Sequence, residues 1–104
     1  MFARVTSFEG SPEGIEEGIR IFRTELIPWF REATGFRGFV VLVDRKRGRA
    51  LGISFWTSEE TMRDPAAGGG HLRDDLAATV GTLMRGLDYY EVAYGDSIDL
   101  READ

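Results

Sequence analysis

The chain contains no cysteine. That excludes a disulfide framework, a thiolate metal site and a cysteine nucleophile. Asparagine and glutamine are also missing from all 104 residues, so no side-chain amide can offer a paired donor and acceptor. Histidine occurs once, as His71, and proline three times. Apolar runs are short: the longest, Phe39 to Val43, falls far below the ~20 residues a helix needs to cross a bilayer. The start, Met1-Phe2-Ala3-Arg4-Val5-Thr6, has no long apolar stretch behind basic residues. No secretory signal is therefore expected, and the expected location is cytoplasmic, with no membrane partner.

Positive charge is also scarce. Lys and Arg number 13 against 18 Asp and Glu, for a net charge of −5. Binding nucleic acid needs clustered cations to neutralise phosphates, so nucleic acid is not an expected partner. The basic residues gather only at Arg45-Lys46-Arg47-Gly48-Arg49, without the interleaved aromatics that stack on bases. A solvated hairpin is the plain reading, and cations there discourage edge-to-edge aggregation. No P-loop, dinucleotide-binding glycine fingerprint or Gly-x-Ser-x-Gly elbow is present. What remains is 42% apolar and 12% aromatic residues, enough for one domain with one modest core.

Periodicity supplies the elements. Phe2 to Phe8 alternate, with Phe2, Arg4, Thr6 and Phe8 on one side, which predicts a strand. Ser11-Pro12-Glu13 reads as a helix start, with Ser11 as cap and Pro12 in the first turn. Ile15, Ile19, Phe22, Leu26 and Phe30 form one stripe of a helix from Pro12 to about Ala33. Pro28 predicts a kink near Thr24–Leu26, and Gly35 a left-handed cap. Phe39–Val43 reads as a strand buried on both faces, or nearly so. A hairpin turning at Gly48 leads to a strand over Ala50–Trp56, in which Ala50, Gly52, Ser54 and Trp56 share a face. Thr57 is the expected cap of a short helix, with Glu60 as its capping-box partner. Pro65 to Gly70 breaks that helix. A second stripe at Leu72, Leu76, Val80, Leu83 and Leu87 predicts another. Tyr89–Tyr94 reads as the last strand. The domain is taken as residues 1–95, followed by an acidic tail over 96–104 in which Ile98 and Leu100 alternate.

Strand, helix, strand, strand, helix, strand is the ferredoxin-like βαββαβ order. It implies an α+β domain, a four-stranded antiparallel sheet with two helices on one face. The opposite face is expected to carry Phe2, Phe8, Trp56 and tyrosines of the last strand. Monomers rarely leave such a patch in water, so a face-to-face homodimer is expected. Gly35-Phe36-Arg37-Gly38-Phe39 after a long helix, then a strand, a short hairpin and a strand ending Phe55-Trp56-Thr57-Ser58-Glu59-Glu60, resembles the dimeric α/β-barrel superfamily. The branch it is most similar to is the antibiotic biosynthesis monooxygenase-like one, over roughly Ala3 to Tyr94. The resemblance implies a dimeric α+β barrel with a pocket between each sheet and its own helices. It also implies small-molecule work that includes cofactor-free oxygenation of aromatic polyketides and haem degradation. Fold alone does not choose among these.

On that resemblance, Trp56, Phe8, Thr6 and Arg4 are the candidate substrate-binding residues, and His71 and Tyr90 the candidate catalytic ones. Trp56, at a strand end, can hold a substrate ring, or it can simply bury area. Arg4 is either a buried cation needing a partner, such as Glu91 or an anionic ligand, or a solvated one. Tyr89, Tyr90 and Tyr94 offer phenols that could move a proton or hold an oxyanion, though strand propensity explains them as well. His71 follows three glycines and precedes Asp74 and Asp75, but no further ligands are signalled, so no metal is expected. Haem-degrading members pair a Trp and a His on a helical segment with an Asn on the first strand. Here Trp56 lies on a strand, and Thr6 and Ser7 stand where that Asn would be. Haem degradation is not expected, nor is any cofactor. The expected partners are a second copy of the chain and a small apolar or aromatic ligand. Binding, with or without cofactor-independent oxidation, is the functional expectation; a non-catalytic ligand-binding or interaction module is the alternative.

Overall fold

A computed structural model describes residues 1–64 and 83–96. Four antiparallel strands, β1 (Phe2–Glu9), β2 (Phe36–Asp44), β3 (Arg49–Trp56) and β4 (Leu83–Glu91), form one sheet in the order β2-β3-β1-β4. This is the ferredoxin-like arrangement expected from the order of elements. The first helical run is α1 (Pro12–Ile21), a wide π turn (Phe22–Leu26) and α2 (Ile27–Arg31). A short helix α3 (Glu59–Arg63) follows β3.

Ser11 caps α1 as expected, its Oγ accepting from the Gly14 N–H at 3.0 Å. Over Thr24–Leu26, where Pro28 predicts a kink, the helical run leaves α geometry for the π turn. Proline lacks the N–H that would serve the carbonyl of Thr24, and the helix relieves the mismatch by widening just before it. In the π turn the Ile27 N–H donates to the Phe22 carbonyl, five residues back. Pro28 then falls in the first turn of α2, where its missing donor costs nothing. Leu26 and Phe30 still face the sheet and are fully buried.

Cross-strand register separates the two faces of the sheet. On the helix side lie the rows Phe2–Trp56–Phe36, Arg4–Ser54–Phe39 and Thr6–Gly52–Val41. On the open side lie Ala3–Phe55, Val5–Ile53–Val40 and Ser7–Leu51–Leu42. The core is the cluster Leu26, Phe30, Trp56 and Met62, with Phe2, Phe22, Phe36, Phe39 and Tyr89 packed against it.

Several expectations are corrected. Phe8 and Trp56 belong to the helix side, not the open face, because both are buried and in register with Phe2, Arg4 and Thr6. The open face is apolar all the same, through Val5, Val40, Leu42, Leu51, Ile53 and Phe55. Leu83 and Leu87 continue no helix: they lie on β4, which spans Leu83–Glu91 rather than Tyr89–Tyr94. Ladder pairing of this segment with β1 (Leu87 opposite Thr6) overrides a helical period that the sequence also satisfies. The earlier part of that stripe lies outside the described residues, as does the Pro65–Gly70 stretch. β2 is an edge strand and only half-buried, not buried on both faces. Ser58, not Thr57, caps α3: its Oγ accepts from the Thr61 N–H at 3.1 Å. Thr57 instead donates its backbone N–H to the Gly35 carbonyl at 2.9 Å.

The hairpin is the solvated turn its charges suggested. Gly48 has φ +64°, and a Cβ there would lie 2.3 Å from the Gly10 carbonyl oxygen. Arg47 hydrogen-bonds Asp44 through both side chain and backbone, holding that carboxyl below the usual carboxylate range. Arg45 pairs with Glu16 on α1.

Gly35 does not cap the helix directly, since α2 ends at Arg31; it makes the turn into β2. Its φ is +82°, and a Cβ would come within 2.5 Å of Thr61 Oγ1. Backbone strain and the close approach to α3 act together, so Gly35→Ala is expected to destabilise the fold by ~1–3 kcal/mol, read as a lower midpoint in thermal unfolding. An unchanged midpoint would show that this turn is not held tightly against α3.

Candidate functional site

The helix side of the sheet carries an unusual strip of polar residues. Arg4, Thr6 and Ser54 are all buried, at 3%, 3% and 2% exposure. Arg4 and Ser54 are direct cross-strand partners at the centre of β1 and β3. Placing a guanidinium and two hydroxyls under a helix layer costs desolvation that aliphatic side chains would avoid.

The aromatic rings arrange themselves around that strip. The Arg4 guanidinium carbon lies 5.1 Å from the Trp56 ring centre and 5.9 Å from that of Phe30. Its Nη1 donates to the Met62 carbonyl at 2.7 Å. This carbonyl is in the last turn of α3, where helical partners run out. Trp56 Nε1 donates to Ser54 Oγ at 2.8 Å. Phe30 meets Trp56 edge-on at 6.0 Å between ring centres and stacks on Phe36 at 5.5 Å. Trp56 is completely buried. The strip is therefore roofed by interlocked rings, and Arg4 links the first strand to α3 through its hydrogen bond to Met62 and to β3 and α2 through cation–π contacts with Trp56 and Phe30.

The sequence candidates divide into two groups. Arg4, Thr6, Phe8 and Trp56 all stand on the helix side of the sheet. Tyr90 does not: it pairs with Ala3, faces the open side and is 56% exposed. The phenol on the Arg4 side is Tyr89, its cross-strand partner. Tyr94 is 83% exposed beyond the strand. Glu91 is opposite Phe2, one row away from Arg4. His71, Asp74 and Asp75 lie outside the described residues. Among the described residues no cluster of potential metal ligands forms, and no helix is long and apolar enough to cross a membrane.

Sequence reasoning missed Ser54 and Met62, and it named Tyr90 as the catalytic phenol where Tyr89, offered beside it, is the one on the Arg4 side. Ser54 was within reach, because it shares a strand parity with Trp56. The choice of Tyr89 over Tyr90 was not, since deciding between adjacent tyrosines requires the register with β1. Met62 acts through its backbone carbonyl, which side-chain chemistry cannot announce.

Grooves bounded by described residues include the following. One of about 610 Å³ runs along the β2 edge beside Ile19, Arg23, Ile27 and Arg31. Another of about 320 Å³ lies near Leu42 and Leu51 at the hairpin end. A third of about 310 Å³ is lined by Phe2, Glu59, Met62, Arg63, Tyr89, Tyr90 and Glu91.

No family model matches the chain. In sequence it is 34% identical over 77 residues to the uncharacterised protein Rv2558 of Mycobacterium tuberculosis, and 34% over 62 residues to the uncharacterised protein Rv2557 of the same organism. These alignments take in 74% and 60% of this chain but 33% and 28% of the relatives, so the chain spans about a third of the length of the curated relatives it matches. Among solved structures it is similar to a monooxygenase from the gene ActVA-Orf6 of Streptomyces coelicolor, in complex with nanaomycin D. The TM-score is 0.72 at 18% identity, covering 94% of this chain and 91% of that one. It is also similar to the haem degrader MhuD of Mycobacterium tuberculosis, which has two haems in its active site, with TM-score 0.71 at 20% identity over 93% of this chain and 100% of that one. SnoaB, a cofactor-independent oxygenase from Streptomyces nogalater, gives 0.64 at 21% identity over 91% and 95%. The chain thus shares the ferredoxin-like fold of these solved proteins.

Removing the buried cation tests the site's construction. Arg4→Ala opens a cavity beside Trp56 and takes a buried donor from the Met62 carbonyl. It is expected to cost ~2–4 kcal/mol in stability, measured by denaturant unfolding. A loss under about 0.5 kcal/mol, the range of surface substitutions, would show that Arg4 does not hold α3 in place.

Proposed function

We propose that this chain is a small-molecule-binding domain that acts as a homodimer and takes an apolar or aromatic ligand between its sheet and its helices. The buried strip Arg4–Ser54–Thr6 beneath the Trp56 and Phe30 rings carries this reading. Apolar residues would serve a merely structural core better. Polar groups among aromatic walls are how binding sites orient a ligand. Phe8 and Trp56 supply the apolar wall, Arg4 and Thr6 the polar one.

The finer reading is cofactor-independent oxidation of that ligand. For an anthrone-type substrate, one CH2 and one O2 give one carbonyl and one water, with both oxygen atoms accounted for. A base must first take a proton from the CH2 to form the carbanion, and Arg4 could offset the charge that develops. Tyr89 is the described phenol on the correct side; His71 is the other candidate taken from the sequence, since Tyr90 faces the open side. A second reading, a non-catalytic module, draws support from Trp56 itself. Its ring is sealed and its N–H already has an acceptor.

The dimer is supported by the open face. Val5, Val40, Leu42, Leu51, Ile53 and Phe55 form an apolar surface on the side away from the helices, with Leu42 50% exposed. A second identical sheet is the complement that pairs such a face with itself.

With Trp29→Phe, Trp56 is the single tryptophan and reports on the site. Titration with 1,8-dihydroxyanthrone in air is expected to quench Trp56 and to yield the quinone. Quenching without quinone keeps the binding domain and removes the oxidation. Neither effect leaves the interaction module. Sedimentation is expected to show a dimer that Ile53→Glu converts to a monomer; a monomeric wild type would overturn the assembly.

A further inference from the structure

The third groove, of about 310 Å³, lies where the interior strip approaches the surface. Met62 belongs to both places: its side chain is buried in the core cluster, and its carbonyl receives Arg4. Tyr89 belongs to both as well, since it lines the groove, packs against the core cluster and is the cross-strand partner of Arg4. A continuous line of contacts therefore runs from groove to Tyr89 and Met62, then to Arg4, then to Trp56.

One side chain closes that line from outside. The Arg63 guanidinium carbon sits 4.2 Å from the centre of the Tyr89 ring. Glu59, one turn earlier on α3, holds it there, accepting from Arg63 Nε at 3.1 Å. Arg63 and Glu59 are both about half exposed, so the stack is weak, worth little more than thermal energy, and can open without unfolding the sheet. A strong, buried latch would fix the core; a weak, exposed one suits a passage that must open.

We propose that this groove is the mouth of the interior site, and that Arg63 and Tyr89 are the residues that decide what passes. The proposal rests on the binding site described above and adds its route of access. Arg63 stacked on Tyr89 shuts the mouth. When Arg63 swings away, the exposed face of Tyr89 becomes a landing surface for a flat ring. The carboxylates of Glu59 and Glu91 at the rim then disfavour anions and the buried Arg4 guanidinium disfavours cations, so the preferred ligand is a neutral aromatic.

Acrylamide quenching of Trp56 in the Trp29→Phe background tests the mouth without any ligand. In the parent the quenching is expected to be weak. Arg63→Ala, an exposed substitution that leaves the core intact, should raise the Stern–Volmer constant about two- to fivefold, as loss of one exposed cation–π stack allows. Tyr89→Leu should do the same, and Tyr89→Phe, which keeps the ring, should not. Arg47→Ala, on the distant hairpin, is the control and should change nothing. Equal quenching in parent and Arg63→Ala would overturn the proposal, as would a rise in Arg47→Ala of the same size. Strong quenching in the parent would overturn it too, because the passage would already stand open. Should the anthrone fail to bind while Arg63→Ala still exposes Trp56, the mouth stands and the ligand assignment falls.

Discussion

A guanidinium buried under two aromatic rings is the constraint around which this domain is organised. Arg4 sits in the middle of β1, where the sheet is covered by helices. A charge there is tolerable only with close compensation. The Trp56 and Phe30 rings supply part of it, and the Met62 carbonyl another part. Each of these tethers a different element, so β1, β3, α2 and α3 are drawn to one point. The short α3 follows: a helix of five residues has little stability of its own, and here it is capped by Ser58 at one end and held by Arg4 near the other.

Helical phase is the second condition. Leu26 and Phe30 must both reach the sheet, yet Pro28 stands between them. The π turn over Phe22–Leu26 lets the chain absorb the proline before the final turn of helix begins. Such widenings recur at functional sites. Here it carries Phe30 to the position where it stacks on Phe36 and meets Arg4. Packing and site chemistry are the same contacts.

The two faces of the sheet divide the work. The helix side combines aromatic walls with buried polar groups, which suits orienting a ligand. The open side is largely apolar over β2 and β3, with Ser7, Asp88 and Tyr90 on its β1–β4 part, which suits a second copy of the sheet. Among solved proteins this fold holds small molecules as different as nanaomycin D and haem, so the architecture by itself selects no ligand. No asparagine is available anywhere in the chain. Any hydrogen bond offered to a ligand from the strip comes from hydroxyls and a guanidinium.

Read without coordinates, the chain already determined its fold class, since period-two and helical stripes record local backbone geometry directly. Ser11 as a cap, Gly48 as a turn and the pairing of Arg4 with Thr6 and Phe8 on one face all follow from such local rules. The same rules could not say which side that face was on, and they extended a helical stripe into Leu83 and Leu87, which the sheet claims. Both outcomes depend on pairing between segments remote in sequence, where the energy lies in shared burial and ladder hydrogen bonds rather than in either segment alone. Tyr89 rather than Tyr90, Ser58 rather than Thr57, and the role of the Met62 carbonyl were settled only by register and packing. A shift of one residue turns every side chain of a strand over, and a backbone carbonyl leaves no mark on composition.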